Sequence, residues 1–521
     1  MPALIIHGHF YQPPRENPWT GVIEEQPSAA PFHDWNERVH TECYQPNSSA
    51  VVSDPATGEP RAVNNYAHIN FDFGPTLLSW IEQNHCETYE RIIAADRASA
   101  EEHHGHGNAI AQAYGHAILP LCNERDLHTQ IRWGLADFRY RFGREAEAIW
   151  LPETACNGRV MSALIDEGLR FIVLAPHQAA RVSTRSGSDR VGLTRERTWS
   201  QVNEATIDTS IPYRYFHRDN PKKSIDVFFY DGPLSRAVAF ENLLRSSGDF
   251  VDALMRSPKQ MVNIATDGET YGHHFKFGDL CLAHALNEEA PAREFIVTNY
   301  AAYLDKHPPE FEVEINNGPD GEGTSWSCVH GVGRWTRDCG CHTGGEPGWN
   351  QAWRAPLRQA LDYLRDENEK HFEATRGNLF NFPWLARDDS ISLVLDPRRS
   401  REQFLFEHAS RWLSRAEEWR ALTFLELQRM LLLMYTSCGW FFNDISGIET
   451  IQILKYAARA IDLMEQLHLP SVREAFLEIL SKAQSNRVEM GTGAEIYQQI
   501  VEPSNPNYQG TESRLVGIAS G

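Results

Sequence analysis

The sequence lacks any excess of positive charge. Its 521 residues include 49 Lys and Arg against 70 Asp and Glu, so the formal net charge is −21. Non-specific binding to nucleic acid requires a basic surface, and an anionic membrane attracts basic segments. The charge balance therefore argues against nucleic-acid and membrane partners, whereas a neutral ligand such as a sugar is compatible with it.

Long apolar runs are also missing. No window approaches the roughly 18 apolar residues that a membrane-spanning helix needs, and even the apolar run at residues 430–434 is short. The first ten residues contain neither a basic segment nor a long apolar stretch, so we expect no signal peptide. The nine cysteines are odd in number and scattered, which fits a reduced, cytoplasmic protein better than a disulfide framework.

Short apolar segments alternate with helical segments over the first 300 residues. This pattern predicts an α/β fold with a parallel sheet, which we interpret as a barrel. From residue 353 onward, periodic apolar positions predict a run of helices. We therefore divide the chain into a catalytic barrel (1–310), a Gly/Cys/Trp-rich loop bordering a cleft (311–350), a helical bundle (351–500) and a flexible tail (501–521).

Polar residues follow three of the predicted strands. His7 and His9 come after the first strand, Glu153 after a strand at residues 148–151, and Asp267 and Glu269 after a strand at residues 260–265. Because the carboxyl ends of parallel barrel strands converge at one face, we expect these side chains to lie together. The sequence therefore predicts an active site built from histidines and carboxylates.

Two of these carboxylates suit the hydrolysis of glycosides. That reaction uses a pair of carboxyl groups, about 5–5.5 Å apart in retaining enzymes and about 6.5–9.5 Å apart in inverting ones. Glu153 and Asp267 are the candidate pair, and we predict the retaining separation. Trp150, three residues before Glu153, offers an aromatic face for a sugar ring. Taken singly, either carboxylate could equally be a helix cap or an ion-pair partner.

The histidine pair His7 and His9 has two readings. Imidazoles can bind a metal ion or donate hydrogen bonds to sugar hydroxyls. The first reading leads to a metal-dependent hydrolase that would add Asp267 and His273 to the site. The second places the histidines beside the reacting sugar, and the two residues alone do not decide between these readings.

A loop rich in glycine follows the barrel segment. Residues 318–348 contain nine glycines and three of the nine cysteines. The nitrogen and sulfur donors there suit zinc, but their spacing differs from the common C-x₂-C pattern. This spacing favours free thiols in an ordered loop, and we expect no bound metal or cofactor. The donors are Cys328, His330, Cys339, Cys341 and His342.

Five segments share a pattern with one enzyme family. They are residues 7–13 (HGHFYQP), 71–78 (FDFGPTLL), 114–121 (YGHAILPL), 149–153 (IWLPE) and 265–272 (ATDGETYG). Together they resemble glycoside hydrolase family 57, the α-amylase-like retaining enzymes that act on α-glucans. A looser similarity extends over residues 324–326 and 438–440.

The resemblance implies a fold and a set of roles. The implied fold is an incomplete (β/α)7 barrel followed by an α-helical bundle. Glu153 matches the family's nucleophile and Asp267 its acid/base. Neither a cofactor nor a metal is implied. The residues with an implied substrate-binding role are His7, His9, His116, Trp150, Glu269, Trp326 and Trp440.

The chain also departs from the family pattern. The second motif usually carries a glutamate near Ala111, but residues 110–113 (IAQA) contain none, and two extra residues precede Gln12. Together with the cysteine-rich loop, these departures predict an atypical member. Hydrolysis, 4-α-glucanotransferase and branching activities all remain open. A catalytically silent glycan-binding protein is a further alternative.

Overall fold

The computed structural model describes residues 1–53, 57–184, 198–256, 260–396 and 398–508. An α/β region is followed by a helical region, which confirms the predicted fold class. The strands are, in chain order, β1 (Ala3–Phe10), β2 (Ala50–Ser53), β3 (Pro60–Val63), β4 (Asn70–Phe73), β5 (Ala111–Gln112), β6 (Ile149–Trp150), β7 (Phe171–Leu174), β8 (Ala179–Thr184), β9 (Trp199–Gln201), β10 (Tyr213–Phe216), β11 (Ser224–Phe229), β12 (Met261–Asp267), β13 (Ile296–Val297) and β14 (Phe311–Ile315).

Seven of these strands follow one another in a ring, in the order β4, β5, β6, β7, β11, β12 and β1. Parallel ladders join β4 to β1, β1 to β12, β5 to β6 and β7 to β11. Single parallel bridges lie between the β4 and β5 segments and between the β6 and β7 segments. The end of β11 meets β12 through a hydrogen bond of 2.8 Å from the Asp231 N–H to the Asn263 carbonyl. This order brings the carboxyl ends of β1, β6 and β12 to the same face.

A second group of strands extends the sheet away from this ring. Strand β10 runs antiparallel to β11 and parallel to β14, and β14 runs antiparallel to β8. Strand β14 covers residues 311–315, beyond the expected barrel boundary at residue 310. The loop predicted for 311–350 therefore begins only after Ile315, because its first five residues pair with two strands of the α/β region.

Helices pack around the strands and then form the second region. Those of the α/β region are α1 (Trp35–Val39), α2 (Gln45–Ser48), α3 (Pro75–Asn84), α4 (Cys86–Glu102), α5 (Glu124–Phe142), α6 (Gly158–Asp166), α7 (Gly232–Phe240), α8 (Ser247–Met255), α9 (Gly278–His284), α10 (Ala290–Ala292) and α11 (Tyr300–Lys306). Those that follow are α12 (Arg354–Glu373), α13 (Pro383–Asp389), α14 (Ile391–Leu395), α15 (Arg401–His408), α16 (Arg415–Leu433), α17 (Cys438–Phe441), α18 (Ile448–Gln466), α19 (Arg473–Leu480) and α20 (Gly493–Ile496).

Local sequence explains where the long helices begin and end. The Asn123 side chain accepts a hydrogen bond from the Asp126 N–H and caps α5, which ends at Gly143 with a φ of 68°. Ser414 and Glu417 form a reciprocal capping box at the start of α16. Such caps satisfy backbone N–H groups that the first helical turn leaves without a partner.

The helical region shares its core with part of the α/β region. Trp133 of α5 and Tyr114 belong to the same buried cluster as Phe372 and Leu454. Each fully buried side chain of this size contributes about 1.5–3 kcal/mol. Arg387 of α13 adds a buried ion pair of 2.6 Å to Asp126 at the start of α5. The two regions are therefore packed against each other through α5.

The expected flexible tail is shorter than predicted. Val501 and Glu502 are buried, and Glu502 forms an ion pair of 2.7 Å with Arg473. Asn505 donates a hydrogen bond to Asp462 of α18. Residues 501–508 therefore pack on the helical region, and residues 509–521 lie outside the described residues. Within the described part of the chain, no helix combines the length and apolarity needed to cross a bilayer.

Candidate active site

Strand β1 carries the two histidines of the first motif. It runs through Phe10, so His7 and His9 lie within the strand and not in a loop after it. Alternate residues of a strand point to one face, and both imidazoles reach Asp72 of β4. His7 Nε2 lies 3.0 Å from Asp72 Oδ1, and His9 Nδ1 lies 2.8 Å from Asp72 Oδ2. A single buried carboxylate thus orients both rings.

His116 extends this network. Its Nε2 lies 3.2 Å from His9 Nε2, and its Nδ1 lies 2.7 Å from Ser437 Oγ. Burial opposes the charge of His9, but the acidic groups around it, foremost Asp72, outweigh burial and raise its pKa to about 9. Burial and the neighbouring His9 lower the pKa of His116. A charged His9 therefore donates through Nε2 to a neutral His116, whose Nδ1–H donates to Ser437.

Glu153 lies in a single helical turn, Pro152–Thr154, directly after β6. Its φ of 58° is in the left-handed region, where a non-glycine residue costs about 1–3 kcal/mol and persists only when its surroundings impose it. The backbone N–H of Trp326 donates to the Glu153 carbonyl at 3.0 Å. The Trp326 indole N–H and the Ser327 hydroxyl donate to Glu153 Oε2 at 3.1 and 2.5 Å. These contacts fix the carboxylate in one orientation.

Asp267 ends β12, next to β1. The register of the two strands pairs it with His9, and its side chain remains open to solvent. Desolvation by the protein atoms around the carboxyl group raises the pKa of Asp267 to about 6. The negative charge of Glu153 adds to this rise, and His9 opposes it. The structure therefore brings Asp267 into the electrostatic reach of both Glu153 and His9.

Glu269 lies two residues after Asp267 and is buried. Its Oε1 accepts hydrogen bonds from the Tyr44 hydroxyl at 2.6 Å and from the Tyr11 N–H at 3.0 Å. Burial and the charge of Asp267 raise the pKa of Glu269 to about 7. These contacts tie β12 to the segment after β1, which suits a residue that positions the site. Its predicted contact with substrate stays a prediction.

Two of the three predicted aromatic walls lie at the site. The Trp150 ring stacks on His7 and His9, with centroids 4.5 and 5.3 Å away. It is 1% exposed, so it supports the histidines from beneath and does not offer an open platform. Trp326 packs edge-on against Trp150 at 5.2 Å and is only half-buried. Trp326 is therefore the ring that can meet a ligand.

Trp440 contradicts its predicted role as an aromatic wall. Its side chain is fully buried in the helical core. The indole N–H donates to the Arg354 carbonyl at 3.2 Å, and the Arg358 guanidinium lies 4.5 Å from the ring centroid. The Tyr435 ring stacks nearby at 6.4 Å. These neighbours occupy the ring, so a sugar cannot reach it.

Several residues of the site escaped the sequence reasoning. Asp72, Ser327, Ser437 and Tyr44 each contact a predicted residue through a buried or half-buried hydrogen bond. Asp72 had a detectable signal, since a lone carboxylate between two phenylalanines is unusual in a buried strand. The serines and the tyrosine carried none, because their partners are 174 to 321 residues away.

Gln112 stands in the segment where the family pattern expects a glutamate. It lies in β5, in register with Trp150 of β6, and is 1% exposed. Neither atom of its amide has a hydrogen-bond partner within the described residues. Gln112 thus adds a neutral polar group beneath the site instead of a third carboxylate.

The geometry does not favour a metal site at the histidine pair. His7 and His9 are both engaged by Asp72, and His273 pairs with Glu42. Among the described residues, one group of three or more His, Cys, Asp or Glu side chains brings its donor atoms within 4.8 Å of one another. That group is Cys328, His330, Cys339 and Cys341. His342 lies outside it, and its Nδ1 accepts the Gly344 N–H at 3.1 Å.

Solved structures with a similar fold include two archaeal enzymes. An exo-type maltose-forming amylase from Pyrococcus sp. ST04 is 14% identical with a TM-score of 0.66, and the match covers 99% of this chain and 94% of that one. A GH57-type branching enzyme from Pyrococcus horikoshii is 15% identical with a TM-score of 0.53, with 97% of each chain covered. At these identities the similarity concerns the fold.

Sequence comparisons identify the family. Alpha-amylase 1 of Dictyoglomus thermophilum is 28% identical over 108 residues, which are 20% of this chain and 15% of that protein. Residues 349–511 match a domain of unknown function, DUF3536. Residues 3–316 match the sequence profile of glycosyl hydrolase family 57. Because this last match spans more than half of the chain, the protein belongs to glycosyl hydrolase family 57, as its motifs indicated.

Proposed function

We propose that the protein is a retaining glycoside hydrolase or transglycosylase that acts on α-glucans. Its neighbours by fold include a maltose-forming amylase and a branching enzyme. One arrangement carries the proposal: Trp326 and Ser327 hold the Glu153 carboxylate by hydrogen bonds, while desolvation by the surrounding protein and the charge of Glu153 raise the pKa of Asp267 to about 6. Pairs of carboxyl groups whose environments differ in this way divide into an acid and a nucleophile.

In the proposed reaction Glu153 is the nucleophile. Its carboxylate attacks the anomeric carbon, and the bond from that carbon to the leaving oxygen breaks. Asp267 gives its proton to the leaving oxygen, so a glycosyl ester and a free sugar hydroxyl result. Asp267 then takes a proton from the acceptor, which attacks the same carbon and releases Glu153. Water as acceptor gives hydrolysis, and a sugar hydroxyl gives transfer.

The surrounding residues have supporting roles in this proposal. Asp72 orients His7 and His9, and His9 would reach a hydroxyl of the reacting sugar by exchanging its hydrogen bond to His116 for one to the sugar. His116 would assist through its contact with His9. Trp326 would border the sugar next to Glu153, because its indole contacts the carboxylate directly.

A panel of α-glucans tests the proposal. The wild-type protein should give shorter products if it hydrolyses them, and longer or more branched products if it transfers. Glu153→Gln should form neither kind of product. The control Glu101→Gln makes the same substitution at an exposed residue of α4, and it should behave as wild type. Binding without turnover would instead establish a silent glycan-binding protein. A metal-dependent hydrolase would be established if the activity requires a bound metal and the His7→Ala variant no longer binds that metal.

We further infer that the protein works in the cytoplasm. None of the nine cysteines, all of which lie within the described residues, forms a disulfide, and Cys86 is exposed. Free thiols of this kind persist in reducing compartments and oxidise outside them. Fractionation of the source cells with antibody detection tests this inference, and recovery of the protein outside the cytoplasm would contradict it.

A further inference from the structure

Four side chains of the loop after β14 point their donor atoms at one spot. Cys328 Sγ lies 3.8 Å from Cys339 Sγ and 3.7 Å from Cys341 Sγ. Cys341 Sγ lies 3.5 Å from His330 Nδ1. All four donors are within 4.8 Å of one another. The sulfur atoms are too far apart for a disulfide, whose S–S bond is about 2.0 Å.

These separations match those around a tetrahedral zinc ion. Sulfur ligands bind Zn²⁺ at about 2.3 Å and imidazole nitrogen at about 2.0–2.1 Å, so tetrahedral geometry places two sulfurs about 3.8 Å apart and a sulfur and a nitrogen about 3.5 Å apart. Thiolate and imidazole donors exclude Ca²⁺ and Mg²⁺, which take oxygen ligands. The spread of the donors fits a single ion.

We propose that Cys328, His330, Cys339 and Cys341 form a structural Zn²⁺ site. Four protein ligands fill a tetrahedral ion and leave no open position for substrate, which separates structural zinc sites from catalytic ones. The ion would therefore take no direct part in the proposed reaction at Glu153.

The backbone explains why a spacing unlike C-x₂-C can still converge. Each ligand pair has only one residue between its members, so the chain must turn sharply beside it. Gly331, which follows His330, has a φ of 81°, and Gly340, between Cys339 and Cys341, has a φ of 82°. These left-handed conformations are readily available to glycine. They let Cys339 and Cys341 face the same point as Cys328.

The site would close the loop that covers Glu153. Cys328 directly follows Trp326 and Ser327, the two residues that hold the carboxylate. At the other end, the Cys341 carbonyl accepts a hydrogen bond of 2.8 Å from Arg354 of α12. A zinc ion would thus join the start of the loop to a segment anchored on the helical region.

Metal analysis of the full-length chain tests the site. Protein expressed with zinc and purified without chelators should contain about one Zn²⁺ per chain. Cys339→Ser and Cys341→Ser should lose it. Two matched controls should keep it: His342→Ala, next to a ligand but outside the cluster, and Cys86→Ser, an exposed thiol elsewhere. Replacement by Co²⁺ should give the absorption bands of a tetrahedral thiolate complex.

A second measurement keeps the proposal testable if the cysteine variants do not fold. In the wild-type protein, removal of zinc by a chelator should make two additional thiols reactive to alkylation, those of the half-buried Cys339 and Cys341. Zinc below about 0.2 per chain in the wild type, or full zinc retention in a folded Cys341→Ser variant, would overturn the proposal. Neither readout depends on glycosidase activity, so a failure of the proposed function would leave this result unaffected.

Discussion

The hydroxyl of Ser327 donates a hydrogen bond of 2.5 Å to Oε2 of Glu153, across 174 residues of sequence. The neighbouring Trp326 adds a backbone and an indole hydrogen bond to the same residue. The orientation of the proposed nucleophile therefore depends on a loop outside the strands. Hydrogen bonds to a charged group are worth about 1.5–3 kcal/mol, enough for the loop to influence the rate.

Glu153→Gln should abolish turnover without unfolding the protein. The amide keeps the volume of the side chain but cannot attack the anomeric carbon. We expect kcat to fall by at least about 10³-fold, as is typical when a nucleophile is removed. Initial rates on α-glucans and thermal unfolding of the same preparations measure both effects. Near-wild-type activity in a well-folded variant would exclude the mechanism.

The sequence was sufficient to predict residues whose signal is local. Glu153 and Asp267 each follow a short apolar strand, and the α/β alternation brings such positions together at one face. Asp72 was missed because it lies inside a strand between Phe71 and Phe73, where the pattern indicates only burial. Its partners His7 and His9 are more than 60 residues away.

Packing, by contrast, could not be predicted from the motifs. Trp440 lies near residues that contact the site, since Ser437 binds His116, but its ring turns into the helical core. The direction of a side chain depends on neighbours such as Arg358, which come from another helix. Likewise, the spacing of the loop cysteines suggested free thiols, while their convergence depends on turns at Gly331 and Gly340.

Ser327→Ala should slow the reaction with little loss of stability. The change removes one of two donors to Glu153 Oε2 and frees the carboxylate to rotate. Loss of one such hydrogen bond predicts a fall in kcat/KM of about 10-fold. Ser53→Ala, an exposed serine on β2, is the matched control. Unchanged kinetics in Ser327→Ala would mean that the contact does not orient the nucleophile.

The rate should fall as the pH rises through about 6. Asp267 must carry a proton to act as the acid, and desolvation by the surrounding protein together with the charge of Glu153 raises its pKa to about 6. Below that pH the group is protonated, and above it the active fraction declines about tenfold per pH unit. The profile of kcat/KM reports this ionisation in the free enzyme.

Glu269 needs to be separated from this effect, because its pKa is also raised, to about 7. The variant Glu269→Gln retains a side-chain oxygen that accepts the hydrogen bond from Tyr44, so the basic limb of the pH profile should stay near pH 6. Loss of the carboxylate should lower the overall rate. A basic limb that disappears in Glu269→Gln would assign the ionisation to Glu269 and not to Asp267.

Trp326 and Trp440 should respond in opposite ways to removal of their rings. Trp326 is half-buried beside Glu153, so Trp326→Ala should raise KM or change product length with little change in Tm. Trp440 is fully buried, so Trp440→Ala should lower the free energy of unfolding by about 3–5 kcal/mol and leave the product pattern unchanged. Trp326→Phe keeps an aromatic face but removes the donor to Glu153, so product length near wild type with a reduced kcat would separate the two roles of this ring. A large loss of stability in Trp326→Ala with unaltered kinetics of the folded fraction would make the loop purely structural.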